Sequence, residues 1–281
     1  PNITAVVPLP GIPKVNKGTK APEHAALLAV SGASGGLDLI PPPVVDFAKY
    51  GDVEEKSLSK IKRLTAQNMS RNWVHIPHIT LFDDADITVM DDFRKQNKAS
   101  AEKQGVKLTP LAFIMKAVAR ALRAHPEVNS SLSSDGQHLI LKDYIHIGMA
   151  VDTPRGLVVP VIRDVDKKGI FDIAKDIITM SAAARDGKLK PTDMQGGTFT
   201  ISSLGSMGTT AFTPIVNMPE VGILGVSKAT QKPVFQEGAF VPRLMLPLSL
   251  SLDHRVIDGA AGARFLSDLV TYLSDLKQIL L

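Results

Sequence analysis

The sequence predicts an α/β fold, a two-layer sandwich in which helices cover a mixed β-sheet. From about Val44 to the C-terminus, helical and strand-like patterns alternate. They lack the regular strand-helix-strand rhythm of a doubly wound sheet. A long apolar run, "FVPRLMLPLSLSLD" (240–253), needs cover on at least one face, and the helical stretches around it carry apolar stripes that can supply it.

Taken in order, residues 1–43 are rich in Pro, Ala, Gly and Lys and close on Pro41 to Pro43, so they read as a linker or N-terminal extension, with 44–281 as one folded domain. Within the linker, "GASGG" formally matches a serine-hydrolase nucleophile elbow at Ser34. That motif needs a strand before it and a helix after it, and here "LDLIPPP" follows. "DITVMDDFRKQNKASAEKQG" (86–105) predicts an amphipathic helix with Thr88 and Asp91 as a capping pair and Gly105 as its stop. In "LTPLAFIMKAVARALRAHP", Thr109 can cap, Pro110 suits the first turn, and Leu111, Ile114, Met115, Val118 and Leu122 share a face. "YIHIGMAVDTPRGLVVPVI" gives two β-rich runs joined by a turn at "DTPRG". "IFDIAKDIITMSAAARDGK" is helical, while "GGTFTISS", "EVGILGVSKA" and the run at 240–253 are strands. Phe265, Leu266, Leu269, Val270, Leu273 and Leu276 then repeat at helical spacing.

Composition excludes several classes of function. A chain of 281 residues with 44% hydrophobic content can bury a large core. Zero cysteines remove disulfides, thiolate zinc sites and a cysteine nucleophile, which suits a reducing cytosol. No apolar run reaches the ~18 residues of a membrane span, and the start lacks a signal-peptide layout. The chain thus reads as soluble and unexported, cytoplasmic in a bacterium or in the mitochondrial matrix of a eukaryote. It begins on proline, as in a processed chain or a piece of a longer one. The net charge of +4 is interspersed and aromatic residues make up 5%, which disfavours nucleic-acid binding. No phosphate-cradling loop of the Walker or dinucleotide type is present.

Two stretches carry candidate chemistry. "SLDHRVIDGA" (251–260) delivers His254 at the end of the long strand, just before the last helix, with Asp258 four residues on. A neutral imidazole at such an edge can take a proton at physiological pH, whereas a buried histidine filling the core cannot. "GGTFTISSLGSMGTTAFTP" ends a strand in Ser202 and Ser203 and enters a Gly-rich turn, where a serine can donate to a developing oxyanion. His75 and His78, near Asp83 and Asp84, offer metal-ligating residue types. In a strand, however, residues three apart face opposite sides, so no metal site is expected. Trp73 reads as a packing residue.

These two stretches, with "HIGMAVDTPRGLVVPVIRDV" and "MSRNWVHIPHIT", resemble the catalytic domain of dihydrolipoamide acyltransferases, in particular the acetyl-transferring members of pyruvate dehydrogenase complexes, over Val44 to Leu281. The resemblance implies a chloramphenicol acetyltransferase-like fold. It implies His254 as the general base that deprotonates the thiol of coenzyme A or dihydrolipoamide, direct attack of the thiolate on the acetyl thioester, and Ser202 as donor to the tetrahedral oxyanion. Asp258 would support the site, with Arg71 as the cation expected to pair with it. Coenzyme A would be a substrate with contacts unassigned, and the lipoyl group would arrive on a separate domain not seen in this chain. The resemblance also implies a homotrimer with His254 of one chain facing Ser202 of the next. Trimers would assemble into a hollow cubic or icosahedral core through the tip Ile279 to Leu281, with pyruvate dehydrogenase and dihydrolipoamide dehydrogenase as partners. Succinyl or branched-chain transfer, and a catalytically silent core, are the alternatives; "TPIVNMPEVGILGVSKA" resembles the acetyl-specific members.

Overall fold

The structure, a computed structural model, describes residues 41–280; the Ser34 motif, the linker before Pro41, the Leu280 side chain and Leu281 lie outside what it describes. The chain divides between Glu55 and Lys56 into two units. The described part of the first holds a single 3-10 turn, Phe47–Lys49. The second contains the sheet and its helices.

Its elements are α1 (Lys60–His75), β1 (His78–Asp86), α2 (Thr88–Gln96), α3 (Lys98–Lys103), α4 (Pro110–Ala124), β2 (Ser130–Leu132), β3 (Leu139–Leu141), β4 (Ile147–Met149), β5 (Val161–Ile162), α5 (Ile170–Asp186), β6 (Phe199–Ser203), β7 (Gly222–Val226), β8 (Thr230–Gln236), β9 (Ala239–Asp253), α6 (Gly259–Ser274) and α7 (Leu276–Leu280). The main sheet runs β1-β9-β7-β6-β4-β5, with β8 added on β9. It is mixed, as expected: β4, β6 and β7 are parallel and the other pairs antiparallel. Strand β9 organises it, pairing with β1 over Met245–Asp253, with β7 over Leu248–Leu252 and with β8 over Ala239–Met245.

Helix α4 is buried on most of its circumference, from Ala112 to Leu122, because it touches both α5 and α6. Pro110 occupies its first turn, as the sequence suggests, but Thr109 makes no side-chain cap. The "DTPRG" turn forms as predicted: Thr153 Oγ1 donates to the Gly156 carbonyl at 2.6 Å, and Gly156 adopts φ +126. Helix α5 ends on Gly187 at φ +71, where a Cβ would run into the Arg155 guanidinium.

Three expectations need correction. The helix expected over 86–105 is two, α2 and α3, because the Asn97 side-chain amide donates to the Phe93 carbonyl at 2.8 Å and competes with the ladder. The Thr88 and Asp91 capping pair does not form. Asp86 instead accepts from the Thr88 N–H and hydroxyl, and Asp91 pairs with Arg94 and Lys95. At the C-terminus, Ile279 is no free tip: α7 folds back and buries it to 4% exposure in the core of its own chain. The β2–β3 hairpin and β8 add to the strands read from sequence.

Candidate active site

His254 follows the last residue of β9 and is exposed. Its backbone N–H donates to the Pro77 carbonyl at 3.0 Å, and its side chain makes no hydrogen bond among the described residues. What holds it is the pair on either side. The Asp253 carboxylate, 2% exposed, accepts from the Arg255 backbone N–H at 3.0 Å and from the guanidinium at 3.0 Å (Nε) and 2.7 Å (Nη2). A buried charge with a forked partner fixes the turn, so the imidazole projects from a rigid corner. Read from sequence, these two residues merely flanked the histidine; their mutual bond is what the linear pattern hid.

Asp258 is the N-cap of α6. Its carboxylate accepts the Ala261 N–H at 2.7 Å, and the backbone donors of this first turn hold its carboxyl below the usual carboxylate range, helped by the charges of Arg264 and His254. The expected Arg71–Asp258 ion pair does not form. Arg71 is exposed on α1, and the Asp258 carboxylate is already engaged by the end of its own helix.

Ser202 is partly buried near the end of β6, and its hydroxyl is likewise unengaged among the described residues. It opens on a cleft of about 720 Å³ at the carboxyl ends of β4, β6 and β7, bordered by Lys107, Leu111, Met149 and Arg185. The volume falls within the range of small-molecule sites. Lys107 and Arg185 at the rim outnumber the one carboxylate there, Asp152, which leaves a modest bias toward an anionic ligand.

Ser202 and His254 are not brought together within one chain. Ser202 pairs with Gly225 on β7, and Gly225 with Ser249 on β9. His254 lies five residues past Ser249 in the direction opposite to β6. At ~3.3 Å per residue and ~4.8 Å per strand, that places them about 17 Å apart along the sheet and about 10 Å across it.

His78 is structural. Its Nδ1 donates to the Ile76 carbonyl at 2.9 Å and its Nε2 accepts the Val216 N–H at 3.0 Å, while burial pulls its pKa below the usual histidine range. Trp73 stacks on it at 5.7 Å while remaining exposed. Asp84 is paired with Lys232. Among the described residues no group of three or more His, Cys, Asp or Glu side chains is placed to hold a metal, and no helix is long and apolar enough to cross a membrane.

Comparison with known proteins resolves the family. Residues 50–281 match the 2-oxoacid dehydrogenases acyltransferase (catalytic domain) family. The chain is 56% identical over 273 residues to the dihydrolipoyllysine-residue acetyltransferase component of the Haemophilus influenzae pyruvate dehydrogenase complex, covering 95% of this chain and 48% of that protein. The Pseudomonas aeruginosa counterpart is 55% identical over 251 residues, with 89% and 46% covered. The chain thus spans about half the length of the curated relatives it matches. Among solved structures, an Azotobacter vinelandii dihydrolipoamide acetyltransferase, investigated for the role of a serine, a histidine and an asparagine in its catalytic mechanism, superposes with a TM-score of 0.85 at 55% identity. The alignment covers 86% of this chain and 100% of that one. The cubic core of a pyruvate dehydrogenase multienzyme complex gives the same values. With the mixed sheet, the strand-end histidine and the match over residues 50–281 in agreement, the chain belongs to the 2-oxoacid dehydrogenase acyltransferases, as their catalytic domain.

Proposed function

We propose that this chain transfers an acetyl group between a dihydrolipoyl thiol and coenzyme A, as the core component of a pyruvate dehydrogenase complex. His254 is the general base, and its imidazole accepts the thiol proton. The thiolate attacks the acetyl thioester carbon directly, and Ser202 donates its hydroxyl hydrogen to the resulting oxyanion. Collapse of that intermediate expels the second thiolate, which takes the proton back from the imidazolium. A thiol with pKa near ~8.5 is mostly protonated at neutral pH, so the base supplies what the step lacks. Asp258 stays ionised and lends its charge to the imidazolium while holding the start of α6.

The observation that carries the reading is the match in kind, order and interval. The serine, histidine and asparagine studied in the Azotobacter vinelandii enzyme are spaced along its chain as Ser202, His254 and Asp258 are here. This chain departs from that set in having an aspartate at the third position. Because Ser202 and His254 lie at opposite ends of the sheet, the working site is composite, with His254 of one copy facing Ser202 of another. A homotrimer meets that requirement, and its further assembly into a hollow cubic or icosahedral core completes the proposal. The lipoyl group, on a separate domain, and coenzyme A are substrates. Pyruvate dehydrogenase and dihydrolipoamide dehydrogenase are the partner enzymes, and the cytoplasm is the compartment. Arg71, exposed in the single chain, has no assigned part.

The test is acetyl transfer from acetyl-coenzyme A to free dihydrolipoamide, comparing the protein with His254→Ala at matched assembly state. A loss of ~10²–10⁴-fold is expected. Activity that survives the substitution would mean a different base, and an inactive wild-type assembly would reject acetyl transfer.

A further inference from the structure

Glu220 is a carboxylic acid with 6% of its surface exposed, two residues before β7, and the proposed chemistry does not use it. We infer that Glu220 is a positioning residue for the transfer site, a proton-dependent brace between the strand carrying Ser202 and the strand end delivering His254. The inference rests on the acyl-transfer reading above.

Glu220 itself makes one side-chain contact, to β6, and the backbone of its two neighbours anchors the same corner to β9 and to the hairpin. Toward β6, Glu220 Oε2 accepts the Thr200 hydroxyl at 2.6 Å. Thr200 lies two residues before Ser202 and shares its face by strand alternation. Toward β9, the neighbouring Val221 carbonyl accepts the Asp253 N–H at 2.9 Å, and Asp253 is the residue before His254. Toward the β2–β3 hairpin, Ser131 Oγ donates to the Pro219 carbonyl at 2.5 Å, and Lys142 Nζ donates to the Ser130 carbonyl at 3.0 Å. Lys142 is the charged group that acts on the carboxylate; β6 presents only the Thr200 hydroxyl. Gly197 leaves room for the carboxyl, since a Cβ there would sit 2.8 Å from Oε1.

Burial pushes the Glu220 carboxyl up to about 7, so it changes charge in the range where a thiol must be deprotonated by a histidine. Protonated, it accepts an ordinary hydrogen bond from Thr200. Ionised, it accepts a charge-assisted one, roughly twice as strong, and draws on Lys142. The brace therefore tightens as pH rises through 7, while the buried charge costs stability over the same interval. The sign follows from linkage: a carboxyl whose folded pKa is raised contributes most stability below its unfolded pKa and loses it as pH rises through the folded one.

Glu220→Gln keeps the shape and an acceptor for Thr200 but cannot ionise. In the assembled protein, its denaturation midpoint should lie nearest that of wild type below pH 4.5 and exceed it by a margin that widens up to about pH 7. In the acetyl-transfer assay, the ratio of wild-type to variant kcat should grow by roughly fivefold between pH 6 and 8.5, with KM unchanged. In a Thr200→Val background that pH-dependent growth should vanish. Midpoints that do not diverge with pH would show that Glu220 does not titrate, and diverging midpoints with parallel kcat profiles would show a buried acid with no part in positioning; either overturns the brace. A folded wild type with no transfer activity at any pH would instead fail the acyl-transfer reading, and the brace with it.

Discussion

A composite site makes a prediction that no single-chain site can imitate. Ser202→Ala and His254→Ala each remove one half of the proposed machinery, and each alone should lose ~10²-fold or more of the transfer rate. The two residues lie on opposite ends of one sheet, about 17 Å apart along the strands, so no side-chain rearrangement within a chain can join them. If chains of the two variants are mixed one to one and allowed to assemble at random, a site is complete when its histidine comes from a Ser202→Ala chain and its serine from a His254→Ala chain. Each choice has even odds, so about a quarter of wild-type activity should return in the mixed symmetric assembly. The assay is acetyl transfer from acetyl-coenzyme A to dihydrolipoamide after joint refolding, with each variant refolded alone as control. A mixture no more active than its components would refute the composite site: the catalytic pair would then include a residue other than Ser202 or His254.

Other expectations follow from particular contacts. Ser202→Ala alone should lower kcat by ~10²–10³-fold with an unchanged melting temperature, since its hydroxyl engages nothing else among the described residues. Gly187→Ala forces a side chain into a left-handed position already filled by the Arg155 guanidinium, and should cost about 1 kcal/mol or more by chemical denaturation. Arg255→Ala leaves the Asp253 carboxylate buried without its fork. It should lower the unfolding free energy by about 1–3 kcal/mol, read by chemical denaturation, and reduce kcat as the His254 corner loosens. His78, whose folded pKa is depressed by burial, stabilises the protein above the ordinary histidine pKa and loses that contribution as pH falls below it. The stability of the wild type relative to His78→Asn should therefore fall between pH 8 and 5.

What could be read from the sequence was what periodicity and local chemistry encode. The apolar faces of α4 and α6, the turn at Thr153 to Gly156 and the strand ending at Asp253 all depend on residues near one another in the chain, and all form. The break at Asn97 was hidden because the periodicity on both sides of it is helical, while one side-chain amide decides the interruption. Arg71 was matched to Asp258 on charge alone; the first turn of α6, three residues away, satisfies the carboxylate at a shorter reach. Glu220 had a visible signal, an acid set against the apolar run "VGILGV", yet its partner Thr200 lies twenty positions upstream and is found only through the pairing of β6 with β7. For the proposed site, motif order supplied the candidates Ser202 and His254, while their placement at opposite sheet ends depends on the antiparallel sense of β9, which no local pattern reports.

That placement has a consequence for how many chains gather. On the composite-site proposal, each copy offers a serine end and a histidine end, like a tile with unlike edges. Two copies meeting once complete a single centre and leave a widowed serine at one extremity and a widowed histidine at the other. Every added copy raises the number of finished centres by one, yet an open row always wastes a pair, and only closing the row into a ring recovers it. Selection for turnover alone therefore favours a closed circle of these chains over any open arrangement, before a single contact area is compared.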